Sequence, residues 1–117
     1  MSYNEIFREK TKQMALMVIR FFSELPYTDS TVVIRKQIIR SATSVAANYR
    51  AMCRARSDKE RYSKLCLVVE EVDETLFWLE LSEELNLLSA EKLNSLKSQV
   101  EEILKSTSSY RKRLSIE

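Results

Sequence analysis

Histidine is absent from this chain. With it go the commonest general base, the serine-type triads, HExxH zinc sites and the Glu-x-x-His ligands of di-iron bundles. No catalytic residue is assigned and no enzyme is expected. The chemistry left is that of carboxylates, thiols and guanidinium groups. Glu70, Glu71, Asp73 and Glu74 crowd one stretch, with Glu70 and Glu74 one helical turn apart. Such oxygens suit a hard cation only when further inward-facing ligands stand at metal-site spacing, and here they do not. Ion pairing with a basic neighbouring helix is the expectation, with neither metal nor cofactor. Cys53 and Cys66 form no CxxC and read as reduced thiols among core residues.

The strongest chemical signal is basic. The run Tyr49-Arg50-Ala51-Met52-Cys53-Arg54-Ala55-Arg56-Ser57-Asp58-Lys59-Glu60-Arg61-Tyr62-Ser63-Lys64 places Arg50 and Arg54 one turn apart on a helix, with Arg61 and Lys64 similarly spaced. A net charge of +2 conceals segregation: residues 31–64 hold nine basic side chains against two acidic, and residues 65–104 hold ten acidic against two basic. If the chain turns near Ser57, the arginines gather at one end, where they suit phosphate groups, with Tyr49 and Tyr62 nearby for stacking. The competing reading is that Arg50 and Arg54 pair with acidic side chains or simply hydrate.

These residues need helices to hold them. Gly is absent and Pro occurs once, so hairpin chemistry is missing and the composition favours helix. The pair Ser2 and Glu5 reads as a capping box, followed by a stripe of Phe7, Met14, Met17, Val18, Phe21, Phe22 and Leu25 that Pro26 stops. Asp29 or Ser30 is expected to cap a second helix, with its stripe at Ile34, Ile38, Ala42, Val45, Tyr49 and Met52. A second capping box, Ser57 with Glu60, marks a break before the third helix, although one continuous helix stays open at this point. That helix carries Tyr62, Leu65, Val69, Val72, Leu76 and Leu79, and a fourth carries Leu93, Leu96, Val100, Ile103, Thr107, Tyr110 and Leu114. Asn86 supplies a left-handed helix end, and Ser89 with Glu91 begins the last helix. The reading is an all-α, antiparallel up-and-down four-helix bundle, one domain over 1–117, with helices at about 3–25, 29–56, 57–86 and 89–114.

The longest apolar run, Met14 to Phe22, is broken by Arg20 and falls short of the roughly 20 residues a membrane span needs. The polar opening Ser2-Tyr3-Asn4-Glu5 is unlike a signal peptide, so a cytoplasmic location without membrane contact is expected. Ile39, Ala46, Cys53, Phe77, Trp78 and Leu81 lie beside the main stripes. They serve either a broad core face or a subunit interface, where aromatic anchors are enriched. Asn48, one turn beyond Ser44, is expected to bond a carboxylate of the third helix across the bundle.

The segment from Ile38 to Ser57, with its Ser44-Val45-Ala46-Ala47-Asn48-Tyr49 centre, and the segment Glu70 to Leu81 together resemble a known family. It comprises the bacterial four-helix bundle proteins encoded by intervening sequences in 23S ribosomal RNA genes, and accessory variability proteins of diversity-generating retroelements look like relatives. The similarity spans nearly the whole chain. Ala46 stands where relatives often carry Gly, and Arg54-Ala55-Arg56 replaces an acidic residue and Gly at the end of the second helix, which makes that junction more basic. The resemblance implies a homopentameric tapered barrel with a basic surface. In the retroelement relatives that surface serves RNA or DNA and a reverse transcriptase.

On that basis Arg50, Arg54, Arg56, Lys59, Arg61 and Lys64 are candidate phosphate contacts, with Arg35, Lys36 and Arg40 as a second tier. Asn48, Tyr49, Phe77, Trp78 and Leu81 are candidate packing or subunit-interface residues. No base-reading motif is present. The expected function is a non-catalytic, oligomeric nucleic-acid-binding protein. The alternative is a protein-interaction or scaffolding module whose arginines are used internally.

Overall fold

The computed structural model describes residues 1–116. Four helices, α1 (Tyr3–Ser23), α2 (Asp29–Cys53), α3 (Asp58–Glu84) and α4 (Ala90–Ile116), form an up-and-down bundle measuring 46 × 24 × 20 Å. Each helix packs on its two cyclic neighbours, α1 on α2 and α4, and α3 on α2 and α4. The connections are too short to reverse this order, so adjacent helices are antiparallel.

Local chemistry sets each boundary. Ser2 Oγ accepts the Glu5 N–H at 3.2 Å and starts α1. The helix stops at Ser23, short of the expected 25, because Leu25 precedes Pro26 and is pushed out of the helical region. The carbonyls this frees are taken by Arg35, whose Nε donates to Phe22 at 2.8 Å and whose Nη2 donates to Leu25, while its guanidinium lies 4.2 Å from the Tyr27 ring. Hydrogen bonds from charged groups contribute about 1.5–3 kcal/mol. Arg35→Ala is therefore expected to lower the melting temperature by roughly 5–15 °C in a thermal scan by circular dichroism. An unchanged melting temperature would mean that water serves these carbonyls equally well.

The cap of α2 is Thr28, not Asp29 or Ser30. Its Oγ1 accepts the Thr31 N–H at 3.2 Å, and the Thr28 N–H donates to Thr31 Oγ1 at 2.8 Å. Threonine does here what Glu or Gln does in the usual capping box, and Asp29 falls into the first turn, where the helix dipole favours its charge. The chain breaks between α2 and α3. Arg54 and Ala55 donate to the Ala51 and Met52 carbonyls at 3.1 Å, closing α2 three residues before the expected end at 56. Ser57 Oγ then accepts the Glu60 N–H at 3.1 Å and opens α3. At the far end Asn86 adopts φ 53°, with Leu87 N–H bonding the Ser82 carbonyl at 3.0 Å and Asn86 N–H the Glu83 carbonyl at 3.1 Å. This is a Schellman motif with asparagine in the glycine position.

Every residue of the α2 stripe is buried, as are Met14, Val18 and Phe22 of α1 and Leu96, Val100 and Ile103 of α4. In α3 the seam begins at Leu65 and gains Val68 and Thr75. Tyr62 is 38% exposed and lies outside it. Buried hydroxyls bond their own helix or one another. Thr107 Oγ1 donates to the Ile103 carbonyl at 2.7 Å, and Thr75 Oγ1 lies 2.8 Å from Ser41 Oγ across the α2/α3 contact.

Candidate nucleic-acid interface

The start of α1, the end of α2, the start of α3 and the end of α4 meet at one end of the bundle. Tyr3 Oη donates to the Ser106 carbonyl at 3.2 Å, and Tyr49 Oη donates to Asn4 Oδ1 at 3.4 Å, tying three of these segments together. Dividing the bundle at the helix midpoints, this half carries thirteen basic side chains against five acidic, and the other half six basic against eleven acidic, among residues 1–116. Antiparallel helices present alternating dipole ends, which offset one another, so the field at this end comes from the side chains.

Two facing rows of cations line a groove between α1 and α2. Arg8 and Lys12 stand one turn apart on α1, Arg50 and Arg54 one turn apart on α2, with Ala46 and Ala47 beside them, one carboxylate, Glu9, which accepts from Gln13 Nε2 at 2.9 Å, and a volume of about 600 Å³. Methyl side chains leave the guanidinium groups space above the backbone. An adjoining hollow adds Ala51, Arg56 and Glu60. Among the described residues, Arg8, Lys12, Arg50, Arg54, Arg56, Lys59 and Lys64 make no ion pair. Arg61 pairs with Asp58 at 2.6 Å, an exposed contact within one turn that contributes little.

The Cys53 thiol lies 3.9 Å from the Asn4 carbonyl oxygen. Burial pushes this thiol up from its ordinary range, and the nearby Arg8 and Arg61 guanidinium groups partly offset the shift. Cations of α1 and α3 thus converge on one residue of α2. Arg8 and Lys12 escape a charge count along the chain because they are far from residues 50–64 in sequence. Only the antiparallel order, which sets the start of α1 beside the end of α2, reveals them.

The second-tier cations lie elsewhere. Arg35 is committed to the Phe22 and Leu25 carbonyls at and just beyond the end of α1. Arg40 bridges α2 to α3, pairing with Glu71 at 3.1 Å and with Glu74. Lys36 is exposed but sits with them in the opposite half. Two of the four crowded carboxylates are therefore used by α2, and the described residues hold no group of three or more side chains fit to bind a metal. Asn48 does not cross the bundle. Its Nδ2 donates to the Ser44 carbonyl at 2.9 Å and to Ser44 Oγ at 3.0 Å, the local bonding to its own helix that short polar side chains favour.

Tyr49 is wholly buried and belongs to the core. Phe77 is 50% exposed and meets Trp78 edge to face at 5.0 Å, and Trp78 Nε1 donates to Glu74 Oε2 at 3.3 Å. Leu81 and Trp78 are half-buried against the core. No described helix is long and apolar enough to cross a membrane.

No curated protein matches the chain. A crystal structure of a protein of unknown function from the S23 ribosomal protein family of Bacteroides thetaiotaomicron is similar at 29% identity and a TM-score of 0.86, covering 95% of this chain and 99% of that one. Residues 4–109, which span the basic groove and the greater part of all four helices, match the sequence pattern of 23S rRNA-intervening sequence proteins. Fold and sequence pattern agree over the same stretch, and the chain belongs to the 23S rRNA-intervening sequence protein family.

Proposed function

We propose that this chain is a non-catalytic, cytoplasmic, oligomeric protein that binds RNA or DNA through its basic end. The observation that carries the reading is the α1/α2 groove, where Arg8, Lys12, Arg50 and Arg54 face one another without ion pairs among the described residues. Cations left unpaired at a strongly positive end suit a polyanion, because each phosphate contact releases a condensed counterion. The described residues carry no helix-turn-helix, zinc-finger or RNA-recognition signature, so the contacts are with backbone and shape.

Association into a homopentamer fits the exposed Phe77 and its half-buried neighbours Trp78 and Leu81, aromatic and aliphatic anchors of the kind found at subunit contacts. Copies held side by side multiply weak patches into one surface of high avidity. Light scattering in low and high salt, with and without a short RNA, tests both parts. The expected species has the mass of five subunits and takes up RNA at low salt only. A monomer indifferent to RNA at either salt would sink the reading and leave a protein-interaction module.

A further inference from the structure

Beside the α1/α2 groove, on the other flank of the first turns of α1, lies a second cleft. Tyr3 and Phe7 of α1 and Lys105, Ser106, Ser109 and Arg113 of α4 line it, with a volume of about 350 Å³. Its carboxylate, Glu102, is paired with Lys10 at 2.8 Å. Lys105 and Arg113 make no ion pair among the described residues.

The Tyr3 ring is both open and fixed. It is 37% exposed, yet it stacks on Phe7 at 4.7 Å, stands at right angles to the Tyr110 ring at 5.5 Å, and has its hydroxyl bonded to Ser106. An aromatic ring already held in place loses little conformational freedom when a planar group settles against it. An exposed ring flanked by the cations Lys105 and Arg113, the latter 5.7 Å from the Tyr110 ring, is the combination that binds a base and its phosphate together.

We propose that this cleft is a stacking site for an unpaired base, so that the basic end prefers single-stranded nucleic acid to duplex. The inference rests on the nucleic-acid reading above and adds to it. A strand bound by its phosphates at Arg8, Lys12, Arg50 and Arg54 crosses the start of α1 and lays one base against Tyr3. A duplex keeps its bases stacked inside and offers none of them to the ring.

Fluorescence anisotropy on the whole chain in low salt tests this with three probes of equal length: a thymidine homopolymer, the same sugar-phosphate strand without bases, and a duplex. The thymidine strand is expected to bind on the order of tenfold tighter than the abasic strand, the effect of stacking one base. In Tyr3→Ala the two single strands should come within about twofold, while Arg54→Ala weakens both equally. Equal binding of the two single strands by the wild-type chain, or a duplex bound more tightly than the thymidine strand, would overturn the stacking site while leaving nucleic-acid binding intact. The wild-type comparison decides the matter even if Tyr3→Ala does not fold. A polyglutamate chain bound as tightly as the thymidine strand would also overturn it, marking a general anion or protein surface. Failure of all three nucleic acids to bind would overturn both this inference and the proposed function.

Discussion

Arg8→Ala, Arg50→Ala and Arg54→Ala, combined in one chain, are expected to weaken single-strand binding several hundredfold at about 50 mM salt and about thirtyfold at about 200 mM. The figures follow from counterion release. Each contact with a single strand contributes about 0.7 to the slope of log affinity against log salt, so three contacts remove about 2 from it, and the loss shrinks as salt rises toward about 1 M. The three arginines face a common groove and make no ion pair among the described residues, so their removal breaks none. Lys92→Ala with Lys97→Ala is the control. Those lysines pair with Glu24 and Glu83 at the opposite end, and their loss should leave affinity within about twofold. An equal loss in both variants would mean that overall charge, not the groove, holds the ligand.

Tyr49→Ala is expected to destabilise the bundle by about 3–5 kcal/mol, the range for truncating a large aromatic in a packed core. Tyr49 is among the largest fully buried side chains and stands beneath the basic end. Tyr49→Phe keeps the packing and loses only the 3.4 Å hydrogen bond to Asn4, at a cost of about 1 kcal/mol or less. The two variants also separate in alkali. Burial holds the Tyr49 phenol protonated far above its ordinary value of 10.0. Its folded-state value is raised, so the stability it contributes is complete below pH 10 and falls as pH climbs, because the unfolded chain releases the proton first. The wild-type chain should therefore lose up to about 1.4 kcal/mol per pH unit more than Tyr49→Phe above pH 10, measured by urea unfolding. Parallel declines would show that the phenol reaches water.

The α2 stripe was plain in the sequence because its steps of three and four residues hold from Ile34 to Met52 without a polar interruption, and all of it is buried. Asn86 was equally plain, since few other residues accept a positive φ. The cap at Thr28 was hidden because its partner is Thr31, a residue that carries no capping signal by itself. Local spacing alone does not say what each arginine of α2 touches. Arg35, Arg40 and Arg50 look alike along the helix, yet one satisfies carbonyls of α1, one is bound by α3, and one faces an open groove. The difference lies in what the adjacent helices bring opposite each, and that is a property of the packing.

The long dimension of the bundle, 46 Å, is several times the distance over which charges sense one another in physiological salt, about 8 Å. The acidic half therefore does not cancel the basic half for anything approaching along the axis. A polyanion at the basic end meets the local excess rather than the modest total of +2. Only in very dilute salt, where that distance grows to about 30 Å, do the ends begin to offset each other. The shape of the molecule thus lets it be nearly neutral as a whole and strongly cationic at one end.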